Sequence, residues 1–383
     1  MGISANKNKL VIIAGEFSGD NHGAKLISAL KSIQPDIEIS GIGGELMIHE
    51  GLKAFYHIKQ LAFLGIGEVI RHLPFICKVY FSILHNIKTN KPDAVILIDY
   101  PGFNLRLARA VKKAGIPVIY YISPQLWAWG KGRVKKVRNF IDEMLVVFPF
   151  EVEFYKKFDI DAKYVGHPLV DRYFHFVNPK NTTATEDKVL GILPGSRKQE
   201  LEKLLPDMLE CARILYVKKQ IKKAIVARVE NIPLSVYKKF IKNNDEYIEI
   251  YQGEMADFYN RLDAAIVSSG TATLETGYFQ VPMVIVYRVN LLTWFLARLM
   301  VKLNRIGLVN IVAEKEIAVE LIQNNFKPVQ AAEIIEKLLD EKNNASMREK
   351  MHIIRDKLGM PGASIRAAQM ILRKGKEKII EHG

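Results

Sequence analysis

Short apolar runs alternate along this chain with longer segments in which apolar residues recur at every third or fourth position. The short runs are typical of buried strands, and the longer spacing is typical of helices. The first half has predicted strands at Leu10–Ala14, Asp36–Ser40, Ala94–Ile98, Val118–Ile122 and Met144–Phe148. The second half has predicted strands at Val189–Leu193, Lys223–Arg228, Tyr247–Tyr251, Ala264–Ser268 and Met283–Tyr287.

This alternation predicts two doubly wound, Rossmann-like α/β domains that face each other across a cleft. A polar stretch from Asp171 to Lys188 breaks the pattern and predicts an interdomain linker. The expected domains are residues 1–180 and 181–354, and the helices of about 355–383 are expected to pack back onto the first domain. In open parallel sheets, ligands bind at the carboxyl ends of the strands, so the loops at those ends are the places to look for chemistry.

Composition narrows the class of partner. The length of 383 residues predicts two domains, and two cysteines are too few for a disulfide framework. The net charge is +14. Excess positive charge favours nucleic acid, anionic membrane or phosphorylated ligands. We find no nucleic-acid-reading module, so nucleic acid is not an expected partner. The polar start Met1–Lys9 lacks the apolar core of a secretory signal.

Two segments are apolar and basic together, Leu61–Leu84 and Leu291–Val309. Charged residues interrupt both before they reach the length of a spanning helix. Amphipathic helices of this composition can lie in a lipid interface, or they can be core helices with a basic solvent face. Both interpretations stay open at this point.

A strand-to-helix connection at Leu193–Glu200 (LPGSRKQE) carries the most informative chemistry. Ser196 and Gln199 have the spacing of a capping box, and Gly195 permits a close backbone turn. A helix N-terminus attracts phosphate, and Arg197 adds a two-pronged positive charge. The alternative is an ordinary capped helix with a solvated arginine.

A similar connection follows at Ser268–Glu275 (SSGTATLE), where Gly270 opens the turn and Thr271 and Thr273 begin a helix. Glu275 lies one turn further and is placed to accept hydrogen bonds from ribose hydroxyls. Two strand–glycine–helix loops at one sheet edge favour a phosphate site.

The loop Gly15–Gly23 (GEFSGDNHG) follows the first strand. Asp20 is the predicted N-cap of a helix that runs to about Ile33, and Glu16 or His22 is expected to reach the cleft. The loop lacks the dinucleotide-binding spacing of glycines. The alternative is a simple glycine turn with a capping aspartate.

Asp99 follows directly after the strand Ala94–Ile98, where a carboxylate can act as a general base or merely cap the next helix.

Trp127 and Trp129 lie beside a basic helix, an arrangement suited to sugars, apolar chains or an interface, although a packed loop is the alternative. Asp159 and Asp161 are interpreted as surface charge, and the histidines lack zinc-site spacing, so no metal is predicted.

The loops in order resemble those of bacterial lipid-A-disaccharide synthases, from about Val11 to Gln330. The resemblance is carried by the motifs GEFSGDNHG, GIGG, LAFLGIGEVI, IDYPGFN, YYISPQLWAWGKGRVKKV, VGHPLVD, LPGSRKQE, SSGTATLE, PMVIVYR and LVNIVAEKEIAVELIQ. The tryptophan-containing segment and the last motif are specific to that family, whereas LPGSR and the strand–glycine–helix loops are shared more widely among two-domain glycosyltransferases.

The resemblance implies an inverting glycosyl transfer of the GT-B type that needs no metal or other cofactor. A 2,3-diacylglucosamine unit would pass from UDP to the 6-hydroxyl of 2,3-diacylglucosamine 1-phosphate, with release of UDP. The first domain would then bind the lipid acceptor and the second the UDP-sugar. The enzyme is expected to be cytoplasmic and peripheral on the anionic inner face of the inner membrane, and a homodimer is left open.

The resemblance also implies roles for individual residues. Asp99 matches the proposed general base, with His22 and Glu16 as the alternatives. The residues expected to hold UDP are Arg197, Ser268, Gly270, Thr271, Glu275 and Asn310. Those expected near the reacting sugars are Ser18, Asp20, His22, Gly43, Gly44 and Trp127. Phe17 and Asn21 depart from what relatives often carry at these positions of the first loop.

Two other functions remain to be tested. A UDP-sugar 2-epimerase has a similar architecture but turns over soluble substrates and does not bind vesicles. A non-catalytic, membrane-docking protein with a nucleotide pocket binds UDP without forming product. The apolar-basic segments argue against the epimerase.

Overall fold

The computed structural model describes residues 8–61, 72–128, 131–177, 187–229, 232–288 and 305–381. The chain forms two compact units, one of Met1–Arg172 with Met360–Gly383 and the other of Tyr173–Gly359. Part of each predicted apolar-basic segment lies outside the described residues, as do Trp129 and most of the predicted linker. Asp171, the first residue of that linker stretch, is helical.

The first unit contains a parallel sheet, which has seven strands among the described residues. Its strands are β1 Lys9–Ala14, β2 Glu38–Gly43, β3 Lys53–His57, β4 Ala94–Ile98, β5 Val118–Tyr121, β6 Glu143–Val146 and β7 Ala162–Tyr164. Its helices are α1 Phe17–Ile33, α2 Glu45–His49, α3 Leu73–Asn90, α4 Pro101–Lys113, α5 Val134–Phe140, α6 Pro149–Lys156 and α7 Pro168–Tyr173, whose last residue belongs to the second unit.

The second unit contains a parallel sheet with six described strands. They are β8 Val189–Leu193, β9 Lys223–Ala227, β10 Ile248–Tyr251, β11 Ala264–Ser268, β12 Met283–Tyr287 and β13 Glu320–Ile322. The helices are α8 Lys198–Val217, α9 Leu234–Lys238, α10 Met255–Asn260, α11 Thr271–Tyr278, α12 Leu308–Ala313, α13 Pro328–Leu339 and α14 Glu341–Leu358. The last helix, α15 Ala363–Glu381, returns to the first unit.

The predicted fold class, two parallel α/β domains, is confirmed. Successive residues of the central strands, such as Ile12 and Ile13 of β1, are completely buried, which requires helices on both faces of the sheet. On one face, Val11 and Ile13 pack in the same core as Val79 and Ile83 of α3. The predicted bounds of β4, β8, β11 and β12 match the structure, and most other predicted strands differ from it at one or two residues.

Two differences from the predicted elements concern the candidate sites. Helix α1 begins at Phe17, three residues before the predicted cap Asp20. Strand β2 is shifted toward its carboxyl end and includes Gly43. Gly41, with φ of +149°, lies so close to β1 that a Cβ atom there would meet the Ile12 carbonyl oxygen at 1.9 Å.

The strand order fixes where loops can form a site. The first sheet has the order β3-β2-β1-β4-β5-β6-β7, and the second has β10-β9-β8-β11-β12-β13. In each sheet the order reverses between two neighbours, β1 and β4 in the first and β8 and β11 in the second. The loops that leave such a pair diverge to opposite faces and open a crevice between them.

Candidate functional site

At the reversal point of the first sheet, the connection after β1 meets the turn after β4. A Cβ atom on Gly15 would lie 2.3 Å from ring atoms of Tyr100, so only glycine leaves room for that ring. Glu16 follows Gly15 at the N-cap position of α1, and Asp99 precedes Tyr100. The crevice therefore brings two carboxyl groups, those of Glu16 and Asp99, into one neighbourhood.

The turn that carries Asp99 is strained. Asp99 and Tyr100 have φ of 45° and 48°, the left-handed region that residues with a Cβ atom rarely occupy. Strained backbone of this kind persists only where the surrounding structure holds it, and it is found disproportionately at functional sites.

Burial and, to a smaller extent, the nearby Glu16 raise the pKa of the Asp99 carboxyl to about 6. A hydrogen bond from the Tyr100 backbone opposes these effects. A carboxyl group of this pKa is ionised at neutral pH and is a stronger base than an ordinary aspartate.

The expected substrate loop Gly15–Gly23 is not a loop beyond Glu16. Ser18 and His22 lie in the first two turns of α1, and Ser18 is exposed. Burial and, to a smaller extent, the positive charge of Lys25 lower the pKa of His22 to about 4. His22 is therefore uncharged at neutral pH.

The spacing predicted that Asp20 caps its own helix, but it does not, because Glu16 is the N-cap residue of α1. Its carboxylate accepts backbone N–H groups from Gly44 at 2.6 Å, Met47 at 3.1 Å and Leu46 at 3.2 Å. Asp20 thus caps α2, and the packing explains the neighbouring glycines. A Cβ on Gly44 would lie 2.5 Å from the Asp20 carboxylate, and one on Gly43 would meet Leu52 and Met47.

His167 lies beside this region and was not among the predicted site residues. Its Nδ1 accepts the N–H of Leu169 at 3.1 Å, so the neutral ring carries its proton on Nε2. Burial, with a smaller effect of His22, lowers its pKa to about 3. The ring packs on Phe148 at a centroid distance of 5.0 Å. A lone histidine in a turn gives no sequence signal, although it belongs to the quoted motif VGHPLVD.

Trp127 is attached to a buried acid that sequence reasoning also missed. Its indole Nε1 donates to Glu151 at 3.2 Å, and the ring meets Phe150 edge-on at 5.1 Å. Glu151 also accepts the N–H groups of Val147 and Phe148. Burial raises the pKa of Glu151 to about 8, against the lowering effect of these hydrogen bonds. The sequence shows that Glu151 lies three residues after Phe148, the spacing at which its carboxylate caps α6, but it does not show that Glu151 is buried.

At the reversal point of the second sheet, the loops after β8 and β11 come together. A Cβ on Gly195 would lie 2.7 Å from Glu200 Oε2 and 3.2 Å from Ser268 Oγ. Gly195 has φ of +107°, which glycine alone adopts easily. The predicted capping box of Ser196 and Gln199 is wrong, because α8 begins two residues later and Arg197 is its N-cap residue without a side-chain cap.

Arg197 stands at the open end of α8. Its side chain is 57% exposed, and its Nη1 lies 3.5 Å from Glu200 Oε1, an ion pair that solvent weakens. Burial raises the pKa of Glu200, and Arg197 opposes that shift. A helix N-terminus without a side-chain cap, next to a mostly exposed arginine side chain, is an arrangement that can attract an anion.

The second helix N-terminus, that of α11, has Gly270 at its N-cap position with φ of +149°. Thr271 is exposed, whereas the buried Thr273 donates its hydroxyl to the Gly270 carbonyl at 2.8 Å. Glu275 accepts the hydroxyl of Tyr259 at 3.0 Å through Oε2. Because the N-cap residue of α11 is a glycine, it supplies no side-chain cap to the first N–H groups of the helix.

Asn310, expected to contact the nucleotide, is completely buried. Its amide donates to the Ala318 carbonyl at 2.7 Å and Glu320 Oε1 at 2.8 Å, and its oxygen accepts from the N–H groups of Ile317 and Ala318. These four hydrogen bonds use the capacity of the side chain. Asn310 therefore shapes the segment around α12 rather than offering a free donor to a ligand.

Among the residues that the structure describes, no cluster of acidic, histidine or cysteine side chains could hold a metal ion. Asp159 is 80% exposed at its side chain and pairs with Arg138, as expected of surface charge. Within the same described ranges, every helix is too short or too polar to cross a membrane.

Comparison with solved structures defines the class. The chain superposes on a UDP-GlcNAc 2-epimerase from Neisseria meningitidis with a TM-score of 0.62 at 11% identity, covering 95% of this chain and 100% of the other. It superposes on MurG of Acinetobacter baumannii with a TM-score of 0.57 at 16% identity, covering 96% and 99%. The fold is that of the two-domain GT-B glycosyltransferases and their epimerase relatives.

Sequence comparison decides within that class. The family model of lipid-A-disaccharide synthetase matches residues 10–372. The chain is 39% identical over 381 residues to the lipid-A-disaccharide synthase of Syntrophus aciditrophicus, covering 96% of this chain and 98% of the relative. It is 37% identical to that of Geobacter metallireducens, covering 99% and 100%. The chain belongs to the lipid-A-disaccharide synthase family and is a glycosyltransferase.

Proposed function

We propose that this enzyme transfers 2,3-diacylglucosamine from UDP to the 6-hydroxyl of 2,3-diacylglucosamine 1-phosphate, forming a β-1,6 disaccharide 1-phosphate. The match to lipid-A-disaccharide synthases over nearly the whole chain carries this proposal. The two crevices supply the groups that such a transfer needs, an anion-binding pair of helix ends in one unit and a basic carboxylate in the other.

UDP is assigned to the second unit. The diphosphate would lie between the N-termini of α8 and α11, against the first N–H groups of α11 and the hydroxyl of Ser268. Arg197 would add its guanidinium, and Glu275 would accept the ribose hydroxyls. As the glycosidic bond breaks, negative charge develops on the leaving diphosphate, and these groups stabilise it where it forms.

Asp99 is assigned as the general base. The acceptor 6-hydroxyl oxygen attacks the anomeric carbon, the bond from that carbon to the diphosphate oxygen breaks, and the hydroxyl proton passes to the Asp99 carboxylate. The electron pair of the broken bond leaves with UDP, and the configuration inverts. His22, with a pKa of about 4, is a much weaker base than Asp99, and Glu16 acts by raising the pKa of Asp99.

Ser18, His22 and Trp127 are assigned to the sugar side of the site. Ser18 offers an exposed hydroxyl at the start of α1, and Trp127 offers a ring edge beside Phe150. Asp20 shapes this side by fixing α2 against α1, with Gly43 and Gly44 giving it room.

Membrane association is assigned to the outer surface of α3 and α4. Leu73 and Phe81 are 49% and 65% exposed, and both lie on α3 with the exposed Lys78. The neighbouring α4, which receives a hydrogen bond from Tyr80, exposes Arg109. Apolar side chains flanked by positive charge suit the interface of an anionic bilayer, where acylated substrates reside.

The test is to incubate the purified protein with both diacylated sugars and follow UDP and disaccharide 1-phosphate by mass spectrometry. We expect both products in equal amounts, at a rate that a chelator does not change. Epimerisation of UDP-N-acetylglucosamine without transfer would instead identify a 2-epimerase. Binding of UDP without any product would identify a non-catalytic nucleotide-binding protein.

A further inference from the structure

Asn104, to which neither the sequence nor the comparisons assign a role, lies completely buried beneath the strained turn. Its amide donates to the carbonyl oxygen of Asp99 at 2.8 Å and to that of Ile98 at 3.2 Å. These two bonds use both N–H groups of the side chain. One side chain of α4 therefore ties together the last residue of β4 and the first residue of the turn.

A second buried side chain reaches the same carbonyl from a different element. The hydroxyl of Tyr120, in β5, donates to the Asp99 carbonyl oxygen. A carbonyl oxygen accepts two hydrogen bonds, so Asn104 and Tyr120 together fill it. The Asp99–Tyr100 peptide is thus held from a helix and from the neighbouring strand.

This double attachment explains how the strained backbone persists. Two successive residues with a Cβ atom and positive φ would otherwise relax to an ordinary conformation. Such a relaxation would rotate the Asp99 peptide and abandon both buried donors, which is unfavourable because buried donors need partners.

The held turn also sets the surroundings of the carboxyl group. It directs the Tyr100 ring over Gly15, and Glu16 follows directly in the chain. The ionisable groups coupled to the Asp99 carboxyl are Glu16 and Tyr120, and the backbone of Tyr100 donates a hydrogen bond to it. Both the burial of Asp99 and its closeness to Glu16 depend on the conformation of this turn.

We propose that Asn104 and Tyr120 are positioning residues for the reaction, which hold the Asp99–Tyr100 turn in its left-handed conformation and thereby aim the Asp99 carboxyl at the acceptor hydroxyl. The proposal rests on the proposed function for the role of Asp99. It goes beyond that function by naming the two residues on which the base depends.

The experiment compares Asn104→Ala, Asn104→Asp and Tyr120→Phe with the parent enzyme. We expect kcat to fall on the order of 100-fold in Asn104→Ala with little change in KM, because a small misplacement of a reacting group has an effect of that size. Tyr120→Phe should lose less, since one of the two donors remains. Asn104→Asp should lose at least as much as the alanine variant, because its carboxylate would oppose two carbonyl oxygens.

The pH profile distinguishes positioning from general destabilisation. In the parent enzyme the acid limb of kcat/KM should lie near the Asp99 pKa of about 6. In Asn104→Ala the relaxed turn lets water reach the carboxyl, so the limb should move down toward the ordinary value of 3.8. An unchanged pH profile and unchanged kcat in folded Asn104→Ala and Tyr120→Phe would overturn the proposal.

Asn344→Ala is the matched control. Asn344 is a buried asparagine of the second unit whose amide also donates to two carbonyl oxygens, those of Asp263 and Leu338. Its loss should lower stability without moving the acid limb. An equal shift of the limb in Asn344→Ala would count against a specific role for Asn104.

Carbon-13 NMR titration of the Asp99 carboxyl separates this proposal from the proposed function. A lowered carboxyl pKa in Asn104→Ala supports the positioning role even if Asp99→Asn retains full transfer activity and another group proves to be the base. If the pKa of the Asp99 carboxyl is the same in Asn104→Ala and Tyr120→Phe as in the parent enzyme, the positioning role is contradicted, whichever group is the base.

Discussion

The carboxylate of Asp20 accepts the backbone N–H of Gly44 at 2.6 Å, so a side chain inside α1 caps a helix whose N-cap residue lies 24 residues later. The cap holds α2 beside the first turn of α1, where the exposed Phe17 and Ser18 lie. A residue that the sequence marks as the start of its own helix thus organises a neighbouring one.

Replacing Asp20 should therefore destabilise the first unit. Asp20→Ala leaves the N–H groups of Gly44 and Met47 without their buried partner, and we expect a loss of about 2 kcal/mol in the free energy of unfolding. Urea unfolding measures it. Asp36→Ala, at an exposed aspartate, is the control and should be nearly neutral. Equal stability of the two variants would contradict the capping role.

Arg197 should contribute to the affinity for UDP. Arg197→Ala removes a charge-assisted contact to the diphosphate, and we expect UDP to bind roughly 10- to 100-fold more weakly in calorimetry. Arg197→Lys should recover only part of the affinity, because a lysine cannot make the two-pronged contact. Arg261→Ala is the control: it removes the arginine at the C-cap position of α10 and should leave the affinity for UDP unchanged. Parent affinity in Arg197→Ala would move the diphosphate elsewhere.

Asp99 should reduce stability at neutral pH. Its folded-state pKa of about 6 exceeds the ordinary value of 3.8, so the folded protein binds an extra proton between these values and loses stability as pH rises through that window. Asparagine cannot ionise. We expect Asp99→Asn to gain stability relative to the parent between about pH 4 and pH 7.5, by at most about 3 kcal/mol, while losing transfer activity.

Urea unfolding at several pH values checks this expectation, with Asp36→Asn as the exposed control. A stability difference between Asp99→Asn and the parent that does not change with pH would show that Asp99 has an ordinary pKa. Full transfer activity in Asp99→Asn would show that another group removes the proton.

Glu151 should make the environment of Trp127 pH-dependent. Burial raises the Glu151 pKa to about 8, so the indole N–H donates to a largely protonated carboxyl at neutral pH and to a carboxylate above pH 8. The proton resonance of the Trp127 indole N–H should shift with that midpoint in an NMR titration. In Glu151→Gln the shift should disappear while the fold remains. Persistence of the titration in that variant would assign it to a different group.

Phe81 should strengthen binding to anionic vesicles. It is 65% exposed on α3, and transferring its ring to an interface contributes about 2 kcal/mol. Phe81→Ser should therefore weaken co-sedimentation with phosphatidylglycerol vesicles on the order of tenfold. Val217→Ser changes an apolar side chain that is 80% exposed in the second unit and should have no effect. Equal binding of all three proteins would exclude this surface.

The sequence predicted the interior strands better than the edges. The strand Ala94–Ile98 is a completely buried run flanked by polar residues, so its bounds were readable. The edge strands Ala162–Tyr164 and Glu320–Ile322 have three residues each and mixed burial, and neither was predicted. Short, half-solvated strands have no apolar run to mark them, because their pairing is decided by the neighbouring strand.

For the site, the sequence located the loops but not the condition of each side chain. Gly195 and Gly270 marked the turns that meet at the second sheet, and Asp99 marked a strand end at the first. The conformation of Asp99 depends on a contact with Tyr120, and the surroundings of Glu151 include Trp127, neither of which is close in the chain. No local pattern contains that information.

The sequence by itself determined how strands and helices alternate along the chain, because apolar periodicity and glycine positions act locally. That alternation also determined which loops lie at the carboxyl ends of the strands. Tertiary structure alone decided which polar groups at those ends stay available for a ligand. Asp20 and Asn310 have their hydrogen bonds filled from within the protein, whereas the side chain of Arg197 is mostly exposed and Thr271, the first residue of α11, is exposed. A hydrogen bond needs its partner within about 3 Å, and only the folded chain brings these partners together.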